Sequence, residues 1–409
     1  MRGTMTSSTN LEEEATRRLR WGIVGCGAVC EVKSGPAFYK CNNSSLVAVM
    51  RRDGAKAEDF ATRHGVEKFY SSAADLINDE EVDAVYVATP PGGDRAEIAR
   101  MVARAEKPCY MEKPLGRDGK EAKEIASIFQ QAGVPLYVAY YRRCMPKFVA
   151  AKRALDENRI GSITGVSVTL HQSRHMQKDK THWHYNKTMS GGGLFMDVGC
   201  HMLDLVDYMV GPIMKASGIS FLSVNDQTVE DNVRGFWQHT CAVPSRNATC
   251  TTTPDDGRRQ ELNAVGGSCV FNFSSGGPRR DEIEIVGTAG SLIFSCFDTK
   301  PAELRLADAA YGSSSNADGS NVSVLFLDAQ HPETVQQPMI QLVTQDIILH
   351  LSKKDGEERV CDTAKDTFET PSLIDPKICL CSGEAAVRTS VAMDNLLGRE
   401  RWNDDYINL

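Results

Sequence analysis

An open, parallel α/β sheet followed by an α+β half on a large, mainly antiparallel sheet is the architecture this sequence predicts, and three observations predict it. Short apolar runs alternate with helical periodicity from residue 19 to residue 141, the βαβα pattern of a parallel sheet covered on both faces. After residue 162 the runs become rich in valine and threonine, with partial apolar–polar alternation and turn residues between them, as in half-exposed antiparallel strands. A glycine pair, Gly25-Cys26-Gly27, joins the first strand to the first helix. The 409 residues hold two or three domains at about 150 residues each. They divide here into an extension over 1–18, an α/β domain over 19–141 and an α+β domain over 142–409.

Met1 to Arg18 are polar and mixed in charge and predict a mobile extension. Leu19–Val24 reads as a strand, and a helical stretch runs from the glycine turn to about Tyr39. Leu46–Met50 is the second strand, and Ala55–Arg63 a helix stopped at His64-Gly65. Asp83–Ala88 is strongly β-like and leads into a helix from Asp94 to Ala105. A strand over Pro108–Met111, a helix over Gly119–Gln131 ended by Gly133, and a strand over Leu136–Ala139 complete the first domain. In the second domain Ser162–Gln172 predicts a half-exposed antiparallel strand. Further strands are expected over Ile213–Leu222, Arg234–His239, Ala248–Thr253, Ser268–Phe273, Asp281–Ile285 and Ser291–Ser295. Helices over Lys147–Asn158, Asp197–Met209 and Gly383–Leu397 bracket them. Tyr311–Ser323, crowded with Ser, Asn and Gly, reads as a surface loop.

The composition excludes several classes. A formal net charge of −8 without a basic block argues against a nucleic-acid partner held by bulk charge. Thirteen cysteines without a CxxC pair match neither a zinc knuckle nor a secreted disulfide framework, and reduced thiols in a cytoplasmic setting are expected. Glu12, Glu13 and Glu14 in a stretch without an apolar core do not make a signal peptide. No apolar run approaches the ~18 residues of a membrane helix, so no membrane partner is expected.

Gly25-x-Gly27-x-x-Cys30 lies between a strand and a helix, the context of the Rossmann dinucleotide fingerprint. Gly25 permits the tight turn, Gly27 lets backbone approach a pyrophosphate, and the helix start offers free N–H groups. Cys30 stands where a third small residue eases packing. At the end of the second strand, NAD proteins place an acid for the ribose hydroxyls. Here Arg51 and Arg52 follow Met50, with Lys56 one turn on. Two guanidiniums suit a 2′-phosphate, so NADP(H) is favoured, with NAD the second choice and Asp53 as the alternative ribose ligand.

Met111-Glu112-Lys113-Pro114-Leu115 falls at the carboxyl end of a strand, where open α/β sheets bind ligands. Gly191-Gly192-Gly193-Leu194-Phe195-Met196-Asp197-Val198-Gly199-Cys200-His201 falls where a loop enters a helix. Asp197 and His201, four apart, share a helix face that continues through Asp204 and Tyr208. Val198, Met202, Leu205 and Met209 form an apolar stripe beside it, predicting a helix that packs on one side and shows a polar ridge on the other. Histidine is the natural proton acceptor near neutral pH, and a lysine polarises an oxygen on which negative charge develops. Taken singly, Asp197 is also a good helix cap, and Asp204 reads as structural.

With Gly25-Cys26-Gly27, Asp83–Pro90, Tyr141-Arg142-Arg143, Ile285–Leu292 and Gly383–Ser390, these segments resemble the glucose–fructose oxidoreductase / inositol dehydrogenase / MocA family, in that family's order from about residue 19 to residue 397. The resemblance implies a nicotinamide-dependent oxidoreductase acting on a polyhydroxylated small molecule such as a sugar or polyol. It implies that Lys113 holds the reacting oxygen, Asp197 binds a neighbouring hydroxyl and His201 exchanges the proton. Thr89, Pro90, Glu112 and Lys113 join Gly25, Gly27, Arg51 and Arg52 as cofactor-side residues, and Lys113-Pro114 becomes a candidate cis bond. It also implies a homodimer or higher homo-oligomer paired through the free face of the large sheet. A non-catalytic nucleotide-sensing regulatory protein of the same fold is the alternative; such a protein is expected to have lost the lysine or the histidine, and both are present.

Many relatives carry a histidine shortly after the Thr-Pro pair; here the run is Gly92-Gly93-Asp94-Arg95, which implies a different approach to the cofactor or a contact from Asp94. His182-Trp183-His184 lacks a third metal ligand at useful spacing, so no metal is expected and the tryptophan is assigned to the pocket wall or the packing beneath it. His171 and His175 receive no role, and Tyr140 and Tyr141 suit either the site or the core.

Overall fold

The computed structural model describes residues 17–173, 183–223, 228–240, 264–307, 322–354 and 380–399. Six parallel strands form the first sheet: β1 (Leu19–Val24), β2 (Ser44–Met50), β3 (Lys68–Tyr70), β4 (Ala84–Val87), β5 (Cys109–Met111) and β6 (Leu136–Val138), ordered β3-β2-β1-β4-β5-β6. The order reverses between β1 and β4, so the ends of these strands form the crevice in which such sheets bind ligands. All four residues of β4 are buried, which requires covering layers on both faces. Those layers begin with α1 (Gly35–Lys40), α2 (Gly54–His64), α3 (Ala73–Ile77), α4 (Arg95–Arg104) and α5 (Gly119–Ala132). Gly65 and Gly133 end α2 and α5 in left-handed conformation, the usual glycine stop. The expected single helix after the glycine turn is instead a π-helical turn over Cys30–Ser34 leading into α1. The pair β3 and α3 is short and half-buried, too weakly patterned to be foreseen.

Eight strands form the second sheet: β7 (Ile163–Ser173), β8 (Ile213–Phe221), β9 (Asn232–Thr240), β10 (Ala264–Ser275), β11 (Arg280–Gly287), β12 (Gly290–Phe294), β13 (Ala302–Ala307) and β14 (Val322–Leu327). Their order is β14-β13-β12-β11-β7-β10-β9-β8. The expected antiparallel β7 is antiparallel to β11 but parallel to β10; the chain between residues 173 and 264 gives the length for that crossover. Strands β13 and β14 were not expected, and Val322 and Ser323 belong to β14 rather than to a loop. The expected strand over Ala248–Thr253 lies outside the described residues.

Helices α6 (Pro146–Asp156), α7 (Lys187–Ser190), α8 (Cys200–Val210), α9 (Gln337–Lys354) and α10 (Gly383–Leu396) complete the described elements. Both α9 and α10 return to the first sheet. The Trp21 indole on β1 donates to Thr344 Oγ1 on α9 at 3.3 Å, and Tyr137 on β6 bridges to Ser382 just before α10. The polar ridge expected on α8 is not exposed: all eleven of its residues are buried. Arg143 grips Asp204 with two bonds of 2.6 and 2.9 Å. Asp207 accepts from Arg388 at 2.9 Å and from the Ile213 N–H at 2.8 Å. Periodicity located the ridge, but only the tertiary fold supplied its partners.

Candidate active site

The turn after β1 is built for close approach. Gly25 has φ +93°, and a Cβ there would lie 2.9 Å from Thr89 Cγ2, so a side chain would meet both strain and collision. At Gly27 a Cβ would meet nothing nearer than the Gly25 carbonyl at 3.8 Å, leaving open space beside the backbone. Thr89 Oγ1 is buried without a hydrogen-bond partner. Open backbone at the turn and an orphaned hydroxyl across from it fit a dinucleotide laid over the crevice. At the end of β2 Arg51 is half-buried and Arg52 exposed. Among the described residues no carboxylate pairs with either. Asp53 caps α2 by accepting from Lys56 N–H at 3.3 Å and pairs with Lys56 Nζ at 3.2 Å. The two candidates Asp53 and Lys56 therefore engage each other, leaving the arginines as the available cations.

Across the crevice the Lys113–Pro114 bond is cis. Lys113 Nζ donates to Asp197 Oδ1 at 2.6 Å and to the Asp197 carbonyl at 3.0 Å. Asp197 sits in a π-helical turn, Phe195–Gly199, that opens into α8; such turns occur often at functional sites. Burial opposes both charges, but the contact overrides it: the carboxyl is held well below its usual range, helped by His184, and the ammonium above its own. His184 Nε2 lies 3.5 Å from Asp197 Oδ2, and its ring lies against Trp183 at 3.9 Å. Cys200 Sγ donates to the Asp197 carbonyl at 3.2 Å, and burial pushes the thiol up to about 12, so it stays protonated.

His201 follows on the first turn of α8. It is 6% exposed, its Nδ1 is buried without a partner, and Tyr140, Tyr141 and Phe297 surround the ring at 5.5–6.1 Å. Burial first, then the charges of Lys113, Arg142 and Lys33, push its pKa well below the ordinary value. The imidazole is therefore neutral at physiological pH, the form that accepts a proton.

Several positioning residues were not foreseen. Arg95, 1% exposed, donates to the carbonyls of Glu112 (2.9 Å), Leu115 (3.4 Å), Pro114 and Thr89. It ties both cofactor-side loops together, and burial pulls its pKa down to about 10. Its sequence signal is its place on the buried stripe with Ile98, Ala99 and Val102. Asp94 makes no side-chain cap bond, and the adjacent Gly92 N–H donates to the Met189 carbonyl on α7 at 2.7 Å. The Glu112 carboxylate, expected on the cofactor side, is engaged by the protein: it accepts from Tyr86 Oη (2.8 Å), Gln336 Nε2 (2.9 Å) and the Lys113 N–H (3.2 Å). Gly191 has φ +81°, and a Cβ there would lie 2.1 Å from the Arg117 carbonyl. Gly193 N–H donates to Glu230 Oε1 at 2.7 Å, and Arg399 donates to the Gly191 carbonyl. The glycine run thus packs the chain ahead of Asp197 against both halves of the molecule. His182 and His175 lie outside the described residues; His171 sits in β7.

A Rossmann-type sheet facing a lysine, a carboxylate and a buried neutral histidine defines an oxidoreductase with a dinucleotide-binding domain. A family model described as "Oxidoreductase family, NAD-binding Rossmann fold" matches residues 19–140, and one described as "GFO/IDH/MocA C-terminal domain" matches residues 148–293. "Oxidoreductase P35" of Formosa agariphila is 32% identical over 340 residues, covering 82% of this chain and 92% of that protein. The levoglucosan dehydrogenase of Pseudarthrobacter phenanthrenivorans is 26% identical over 284 residues, covering 68% and 70%. A solved levoglucosan dehydrogenase in complex with NADH and levoglucosan shares the fold, with a TM-score of 0.67, 20% identity and coverage of 94% and 97%. This chain belongs to the Gfo/Idh/MocA oxidoreductase family.

Proposed function

We propose that the protein interconverts a CH–OH group and a carbonyl on a polyhydroxylated small molecule, a sugar, polyol or close relative, using a nicotinamide nucleotide with NADP(H) favoured. One observation carries this reading: the Lys113–Asp197 contact stands beside a buried, neutral His201 across the crevice from an open glycine turn. The nicotinamide, when bound, takes or gives the hydride. In the oxidising direction the hydroxyl proton passes to His201, the carbinol C–H bond breaks with its electron pair leaving as hydride, and the carbonyl forms. Lys113 stabilises negative charge on the reacting oxygen, and Asp197 holds both the ammonium and a neighbouring substrate hydroxyl. The related levoglucosan dehydrogenase supports the substrate class by name, and the uncompensated Arg51 and Arg52 support the 2′-phosphate.

In this reading residues 19–141 are the nucleotide-binding domain and residues 142–409 the substrate and oligomerisation domain, in a cytoplasmic setting consistent with nine buried cysteines among the described residues. Among the described residues no helix is long and apolar enough to cross a membrane. Ile219, Phe221 and Phe236 lie exposed on one face of β8 and β9, and Val324 and Phe326 on β14; a second copy of the chain would cover them. Sedimentation at micromolar concentration is expected to show a dimer or larger, and a monomer refutes the pairing. For the cofactor, fluorescence titration is expected to show tighter binding of NADPH than NADH, with the preference lost in Arg51→Ala/Arg52→Ala. Equal affinities in the parent protein refute the arginine assignment.

A further inference from the structure

Adjacent arginines after β6 have opposite surroundings. Arg143 is buried in its double bond with Asp204. Arg142 has no carboxylate within ion-pairing distance among the described residues. Its Nη1 donates to the Cys296 carbonyl, its Nε is buried without a partner, and its Nη2 makes no hydrogen bond within the described structure. The guanidinium lies 4.5 Å over the Phe297 ring and 5.3 Å over the Tyr141 ring. Both rings flank His201, so Arg142 sits on the walls that enclose the proton acceptor.

The mount is rigid. Asp281 accepts from Cys296 N–H (3.0 Å), Phe297 N–H (2.8 Å) and Ser295 Oγ (2.5 Å). Lys147 Nζ donates to the Ser295 and Asp298 carbonyls at 2.8 and 2.7 Å. Arg279 adds a second cation, 5.6 Å from the centre of the Phe297 ring. Asp197 neutralises Lys113, and Asp281 is occupied by the loop and by Arg279 at 3.7 Å. Among the described residues no carboxylate answers Arg142 in the same way. A fixed, uncompensated guanidinium beside an imidazole that must become positive works against proton transfer. A substrate carrying its own negative charge removes that penalty and gains a charge-assisted bond at the free Nη2.

We infer that Arg142, mounted on Phe297 and Tyr141, is an anion subsite that makes the preferred substrate a polyhydroxy acid, its carboxylate bound to this guanidinium while a hydroxyl reaches His201. This rests on the oxidoreductase reading above and narrows its substrate class. The carboxylate stays chemically unchanged, and only the carbinol is oxidised or its ketone reduced.

The test compares matched pairs with the full chain: D-glucose and D-glucuronate, D-galactose and D-galacturonate, D-mannose and D-mannuronate, each with NADP+ and NAD+. Thermal shift in the presence of nucleotide serves as a readout independent of turnover. The acid member of at least one pair is expected to exceed its neutral partner in kcat/KM by about 10- to 100-fold, the worth of a hydrogen bond to a charged group. Arg142→Gln is expected to erase that ratio through loss on the acid member, and Arg142→Lys to keep part of it. If the Gln variant does not fold, the ratio in the parent protein and in the Lys variant decides. Turnover or stabilisation by the hexoses alone, or equal loss on both members in Arg142→Gln, overturns the subsite and leaves the oxidoreductase standing. Absence of turnover and of any thermal shift with every compound removes the underlying reading, and the subsite with it.

Discussion

Lys113 and Asp197 each keep the other charged in a place where burial would discharge both, while His201 is kept neutral by the same burial and the same ammonium. One lysine thus serves twice, fixing the carboxylate and setting the imidazole in its accepting form. His201→Ala is expected to lower kcat by about 10²- to 10⁴-fold, the usual worth of a positioned acid–base group, with nucleotide affinity by fluorescence unchanged. The depressed imidazole also sets the pH profile. A base protonated only well below the ordinary histidine value, about 6.5, gives a kcat/KM that is flat from that pH through neutrality and falls only further into acid. An acid limb centred at or above the ordinary value contradicts the environment found for His201.

At the scale of elements, α8 carries His201 and the π-helical turn leading into it carries Asp197, yet every residue of α8 is buried. Its entry is set by the glycine run, where Gly191 combines positive φ with backbone contact at Arg117. Gly191→Ala is expected to cost about 1–3 kcal/mol from the backbone conformation alone, with more from the collision, and to lower kcat together with stability. Urea unfolding and steady-state kinetics on the same preparation check both; an unchanged midpoint with full activity would show that the run is not what seats Asp197. Arg95 acts on the opposite loops in the same way, its guanidinium joining carbonyls from the ends of β4 and β5.

Across the whole molecule the two sheets are locked by segments far apart in the chain. Asp394 on α10 accepts from the Gly119 N–H at the start of α5 at 2.6 Å and from Arg399 at 3.3 Å. Burial raises its carboxyl to about 6 against those bonds. Because the folded value lies above the unfolded one, this contribution to stability is complete below about pH 3.8 and is lost as pH rises through 6, at ~1.4 kcal/mol per pH unit. Asp394→Asn carries no charge to penalise. Relative to the parent protein, the variant is expected to gain stability between pH 4 and pH 7, measured by urea unfolding at unit intervals. A pH-independent difference would show that the carboxyl does not titrate in that window.

The family resemblance picked out Lys113, Asp197 and His201 as candidate site residues; the chain's local grammar determined the glycine turn, the helix stops at Gly65 and Gly133, and the parallel and mainly antiparallel halves. Those signals lie within a few residues of one another and come from backbone freedom and periodicity. Tertiary structure alone decided what surrounds them. The spacing that drew a polar ridge on α8 is real, but whether Asp204 meets water or Arg143 depends on a segment 61 residues away. Arg95, Glu230 and Arg399 read as ordinary charged residues because their acceptors and donors arrive from other strands and from the far end of the chain. His184 likewise reaches Asp197 only after the fold closes. Charge and burial are properties of neighbourhood, and in this protein Lys113, Asp197 and His201 take their neighbours from segments far apart in the chain.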